Sequence, residues 1–127
     1  MKWRGRNPQH LARLSVADLF LDTLPYNGHT LTSDALWAGC PVVTCAGGTF
    51  ASRVAGSILC AAGLPELITT TIADYEALAL RLAQDRALLQ GVRDKLASNR
   101  LTTPLFDSER TTRQIEEAYE RMWRAPR

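Results

Sequence analysis

The residues with chemistry to offer crowd into one short stretch. Pro25, Tyr26, Asn27, Gly28, His29 and Thr30 follow a short apolar run and lead into helical spacing. An Asn-Gly pair makes a tight turn and lets backbone come close to a ligand. A helix starting directly behind it offers free N–H groups and the positive end of its dipole. Thr30 and Thr32 add hydroxyls, and Asp34, one turn into the helix, suits the hydroxyls of a ribose. Together these are the parts a nucleoside diphosphate needs. The same residues also fit a plainer role, with Thr30 or Thr32 as a helix cap and His29 as a polar loop residue. His10 either stacks on a flat base or faces solvent. Ala46-Gly47-Gly48-Thr49 is a second loop of phosphate-binding type, or an ordinary strand-to-helix turn, and Arg53 behind it reads as a surface or helix-pairing cation.

The elements that must position these residues follow from periodicity. Asn7 and Pro8 open a short helix with Leu11 and Leu14 inward. Residues 17–22 (ADLFLD) are an apolar run framed by acids, the pattern of a buried parallel strand. The loop of Pro25 and Asn27-Gly28 follows, then a helix over 30–38 with Gly39 just past its end. A strand over 41–44 can begin on Pro41. A third helix is expected over 49–62, stopped by Gly63, and a short strand over 67–69. Thr71-Ile72-Ala73-Asp74 matches a capping box, and the helix behind it places Tyr75, Leu78, Ala79 and Leu82 on one face. Two more helices are expected, over 86–99 and from Ser108 onward. The last puts Ile115, Ala118, Tyr119, Met122 and Trp123 at helical spacing, a core-type stripe.

Strand and helix alternate, which specifies an α/β domain with a parallel sheet. Three strands make about half of a doubly wound sheet. The chain therefore reads as one unit over 1–127, an incomplete Rossmann-like sheet with flanking helices, and as part of a larger protein. In such sheets ligands sit outside the carboxyl ends of the strands, where the loop after Asp22 lies.

With 127 residues, 46% hydrophobic and 22% charged, the chain has an ordinary globular composition. A net charge of +2 spread among mixed acids and bases gives no nucleic-acid stripe. No segment has the length or apolarity of a membrane span. The basic residues 1–6 are followed by no apolar signal core, so a cytoplasmic protein is expected. Cys40, Cys45 and Cys60 are odd in number, sit in apolar surroundings and have no histidine cluster nearby, which reads as buried free thiols.

Taken together, LDT…YNGHT (residues 21–30), SDALWAG (33–39), PVVT (41–44) and ASRVA (51–55) resemble the end of the catalytic region of protein O-GlcNAc transferases in their bacterial form. The combination is far more specific than any one glycine loop, and the likeness runs from about His10 to Trp123. It implies the second Rossmann-like lobe of a two-lobed GT-B glycosyltransferase set behind tetratricopeptide repeats. It implies transfer of N-acetylglucosamine from UDP-GlcNAc to protein Ser/Thr hydroxyls, with inversion, without a catalytic metal and with no cofactor. By position, the resemblance puts His10 against uracil, Arg13 near the base, His29 and Thr30 at the diphosphate and sugar, Asp34 on the ribose, and Tyr26 near the N-acetyl group. Asn27, Gly28 and Leu31 complete the donor-site stretch.

Two positions depart from the family. Leu31 stands where a second threonine usually follows the histidine, which removes one hydroxyl from the phosphate and leaves the backbone N–H. Asn7 stands where some members carry a lysine that reaches the ribose or phosphate. The resemblance places the catalytic base and a diphosphate-neutralising lysine outside this chain, so no catalytic residue is expected within it and the chain alone is expected to be inactive. Its partners are then a UDP-sugar, an acceptor protein, and the first lobe and repeats. Two alternatives stay open: a related transferase using another UDP-hexose such as UDP-glucose, and a non-catalytic binding module that self-associates through an exposed sheet edge.

Overall fold

A computed structural model describes residues 7–126. The basic stretch 1–6 and the side chain of Asn7 lie outside the described residues. The chain order is α1 (Asn7–Val16), β1 (Phe20–Leu21), α2 (Thr30–Trp37), β2 (Val42–Cys45), α3 (Val54–Ala61), β3 (Ile68–Thr69), α4 (Ile72–Gln84), α5 (Arg86–Asn99) and α6 (Ser108–Arg124). Short 3-10 turns at Pro65–Leu67 and Pro104–Phe106 complete it. The α/β fold expected from the sequence is the one observed.

The three strands form one parallel sheet in the order β1-β2-β3, with Phe20 beside Val42 and Thr44 beside Ile68. β2 is central and buried at all four positions, which is why Val42 and Val43 form a continuous apolar run rather than an alternation. Its flanking strands are two residues each, and the expected strand over 17–22 is reduced to Phe20–Leu21, which pairs with β2.

The crossover helices α2 and α3 pack on each other and on β2, while α4 crosses β2 and β3 and carries α5. The core joins Leu36, Val42, Val43, Leu59, Leu64, Leu67, Leu82 and Leu96. Burying a Leu or Val side chain is worth about 1.5–3 kcal/mol, so this cluster drives the collapse that sets the strand ends side by side.

Both crossover helices stop in the same way. Gly39 and Gly63 adopt φ of +85° and +71°. Gly39 N–H donates to Leu36 O and Cys40 N–H to Ala35 O; Gly63 N–H and Leu64 N–H repeat the pattern on Cys60 O and Leu59 O. Only glycine takes this left-handed position without strain, and the double bond closes the helix end. At the other end of the chain the side chains of Thr71, Asp85 and Asp107 cap α4, α5 and α6 by accepting from Asp74, Leu88 and Arg110 N–H.

Three expectations are corrected. The third helix begins at Val54 rather than at residue 49, because residues 49–53 form a turn closed by the Thr49 and Ser52 side chains. Cys40 and Cys45 are buried, but Cys60 is exposed: Ala55 and Leu59 face the core, and the next position along the helix turns away from it. Burial pushes the Cys40 thiol above its ordinary value, against a smaller lowering effect from Arg93. Tyr119, Met122 and Trp123 are not core here; α6 buries none of its residues, and Trp123 is 83% exposed. Their apolar face has no partner among the described residues.

Candidate functional site

The carboxyl ends of the strands are sewn together by polar side chains. Asp22 directly follows β1 and is almost fully buried. Its Oδ1 accepts from Thr23 N–H at 2.9 Å and from Gly28 N–H at 2.7 Å. Its Oδ2 accepts from Thr44 Oγ1 of β2 at 2.7 Å. Thr69 of β3 donates in turn to Thr44 O at 2.8 Å. From α4, Tyr75 Oη donates to Asp22 O at 2.9 Å. Burial above all, and then the Asp22 charge, holds the Tyr75 phenol above its ordinary value, so it remains a donor. A buried carboxylate with three donors is satisfied rather than costly.

That anchor shapes the loop of residues 23–29. Gly28 is pulled back onto Asp22, and Thr32 Oγ1 donates to Gly28 O at 2.6 Å. A Cβ at Gly28 would lie 2.9 Å from Thr32 Oγ1 and 3.3 Å from Asp22 Oδ1, so only glycine fits. Asn27 is buried; its N–H donates to Ala51 O and its Nδ2 to Thr23 O, while its Oδ1 has no partner. Thr23 Oγ1 donates to Tyr26 O.

His29 is the N-cap residue of α2 and provides no side-chain cap, which leaves the first N–H groups of the helix for another acceptor. Its ring stacks on Tyr26 with centroids 5.0 Å apart and meets Phe50 edge-on at 6.3 Å. Its Nε2 is buried without a hydrogen-bond partner. Further along α2, Asp34 Oδ2 lies 3.2 Å from His10 Nε2 of α1.

The structure therefore brings together Asn27, Gly28, His29, Thr30, Leu31 and Tyr26 at the start of α2, and sets His10 against Asp34 one turn inside it. Thr30 and Leu31 are exposed on the first turn, and Arg13 is exposed on α1 one turn beyond His10. Two expectations change. Thr32 neither caps α2 nor offers a free hydroxyl, since its hydroxyl is committed to Gly28 O. The 46–49 loop is not a second phosphate cradle: Ala46 N–H is taken by Thr69 O, Gly47 N–H by Ser52 O and Thr49 N–H by Ser52 Oγ.

The residues missed from sequence are Asp22, Thr44 and Tyr75. In sequence Asp22 reads as a framing acid and Tyr75 as core; an acid at a strand end ahead of a glycine loop is the available signal. Among the described residues no group of three His, Cys, Asp or Glu side chains could hold a metal ion. No helix among them is long and apolar enough to cross a membrane.

Residues 5–115 match the model of glycosyl transferase family 41. The chain is 41% identical over 116 residues to the probable UDP-N-acetylglucosamine–peptide N-acetylglucosaminyltransferase SEC of Arabidopsis thaliana, covering 91% of this chain and 12% of that protein. It is 40% identical over 116 residues to the UDP-N-acetylglucosamine–peptide N-acetylglucosaminyltransferase of Caenorhabditis elegans, covering 91% of this chain and 10% of the relative. The solved structure of a K341M mutant of the Thermobaculum terrenum O-GlcNAc transferase superposes with a TM-score of 0.86 at 40% identity, over 91% of this chain and 22% of that one. The chain thus spans about a tenth to an eighth of the length of the curated relatives it matches. With the family model matched over most of its length and the fold shared with a bacterial relative, the chain belongs to glycosyl transferase family 41.

Proposed function

We propose that this chain supplies part of the donor site of a glycosyltransferase that moves N-acetylglucosamine from UDP-GlcNAc to serine or threonine hydroxyls of proteins. The observation that carries this is the Asp22-anchored loop. It holds an uncapped helix start, and a histidine whose buried Nε2 has no partner, at the carboxyl ends of parallel strands. A diphosphate placed there meets the N–H groups of Thr30 and Leu31 and the ring nitrogen of His29. In this reading the Asp34 carboxylate takes the ribose hydroxyls and His10 the uracil face, with Arg13 one turn further along α1.

The chemistry follows from charge. As the sugar leaves UDP, negative charge grows on the β-phosphate. Fixed donors stabilise that charge without reorganising, and a site held by buried hydrogen bonds is fixed in this sense. Transfer in this reading is inverting and metal-independent, so the backbone N–H groups and His29 meet the charge that a metal would otherwise neutralise. In this reading the base that deprotonates the acceptor hydroxyl comes from another segment of the protein. The exposed apolar face of α6 supports this reading, because Ile115, Tyr119, Met122 and Trp123 offer a surface on which such a segment could pack.

Calorimetric titration tests the assignment. Saturable UDP binding that inorganic diphosphate competes away and that His29→Ala weakens about tenfold is expected, one charge-assisted hydrogen bond being worth about 1.5–3 kcal/mol. UDP binding untouched by His29→Ala would sink it.

A further inference from the structure

Phe50 is 82% exposed, on a loop closed by its own hydrogen bonds. The 47–52 loop is not slack. Ser52 is buried; its Oγ accepts from Thr49 N–H at 3.0 Å and donates to Thr49 O at 2.9 Å, and its backbone O accepts from Gly47 N–H. A Cβ on Gly47 would meet Ser52 Oγ at 2.6 Å, so the turn closes only around glycine. Asn27 N–H donates to Ala51 O and ties this loop to the one before α2. A phenyl ring is thus held in water by a rigid turn, with its neighbour His29 edge-on at 6.3 Å and Tyr26, itself 64% exposed, stacked on the far ring.

The order of groups along α2 says what such a ring would meet. His10 and Asp34 sit five residues into the helix from His29, roughly 7.5 Å along its axis at 1.5 Å per residue. The first turn and His29 come next, and Tyr26 and Phe50 attach at His29. A nucleotide sugar has the same linear order of nucleoside, diphosphate and hexose. With the nucleoside at Asp34 and the diphosphate at the helix start, the hexose falls beside the aromatic pair. One face of a pyranose carries mainly C–H groups and packs on aromatic rings, which is how sugar pockets combine apolar walls with a few polar contacts.

We propose that Phe50 is a wall of the sugar subsite, packing with Tyr26 against the hexose of the bound nucleotide sugar. This rests on the donor-site reading above. In this arrangement Phe50 contacts the sugar and leaves the nucleotide untouched, so its removal weakens the nucleotide sugar and spares the nucleotide.

The test compares UDP and UDP-GlcNAc on the native chain and on Phe50→Ala, by titration and by transfer of magnetic saturation from protein to ligand protons. Phe50 buries almost nothing, so the variant folds, and an unchanged melting temperature confirms it. The expected result is a loss of about fivefold in affinity for UDP-GlcNAc, the scale of one aromatic contact. UDP binds within about twofold of the native value, saturation of the sugar protons fades while that of the uracil protons persists, and Phe50→Trp restores both. Equal losses for the two ligands, or none for either, overturn the role of Phe50 while leaving the donor site standing. Failure of the native chain to saturate uracil protons overturns the donor-site reading and this inference with it.

Discussion

His10 Nε2 lies 3.2 Å from Asp34 Oδ2, joining α1 to α2 at the side of the candidate site. The two residues are 24 positions apart, and the family resemblance assigns them to the base and the ribose of one nucleotide. Their side chains are 42% and 28% exposed, and partly exposed pairs of this kind contribute about 0–1 kcal/mol. The arrangement therefore serves placement more than stability. Asp34→Ala is expected to shift the melting temperature little while weakening UDP about tenfold, as for one lost hydrogen bond to a charged group. Thermal melts paired with UDP titrations check both halves.

Asp22 should behave in the opposite way. Asp22→Ala removes the acceptor of the buried Thr44 hydroxyl and of the part-buried Thr23 and Gly28 N–H groups. The buried hydroxyl costs about 1–3 kcal/mol and each part-buried N–H less, so a loss of about 2–4 kcal/mol is expected. Denaturant unfolding measures it. Asp22→Asn, which keeps acceptor oxygen for the two N–H groups, is expected to lose clearly less.

Gly28 and Thr32 should be coupled. Gly28→Ala places a methyl 2.9 Å from Thr32 Oγ1, an overlap of the kind that costs about 1–3 kcal/mol. Thr32→Ala removes the oxygen that the new methyl strikes. The double variant is then expected to be less destabilised than the sum of the single ones. A double-mutant cycle in urea gives the interaction directly; simple additivity would contradict the packing described here.

The pH dependence lies on the alkaline side. Tyr75 is raised above 10.0, by burial and then by the Asp22 charge, and Cys40 above 9.0 by burial. Both hold their protons more tightly in the folded chain. The stability they confer is full below those ordinary values and is lost as pH rises through the folded ones. A melting temperature falling from about pH 9 upward is expected, with a flatter decline in Tyr75→Phe/Cys40→Ala.

Much of this architecture was legible because one residue type decided each element. Val42 and Val43 on a central strand, Gly39 and Gly63 past the helix ends, and the Thr71 cap all announce themselves locally. The loop of Asn27, Gly28 and His29 was legible for the same reason. What was hidden depends on partners far away in sequence. Asp22 meets Thr44 across 22 positions and Tyr75 across 53, so an acid ahead of the glycine loop hints at an anchor but does not name its partners. The start of α3 lies later than helical spacing suggests because Thr49 and Ser52 bond to each other and form a turn where a helix would otherwise begin. Helical spacing on α6 correctly gave a one-sided apolar face, but spacing alone does not say whether this chain covers it.

The central claim, that the start of α2 is a nucleotide site, is tested most directly by adding UDP to the isotopically labelled chain and following His10 and His29. Saturable shifts of both imidazoles and of the Thr30 and Leu31 amides, weakened by His10→Ala, are the predicted result. Shifts confined to residues outside the first turn of α2 and its neighbour His10, or none up to millimolar UDP, would contradict it.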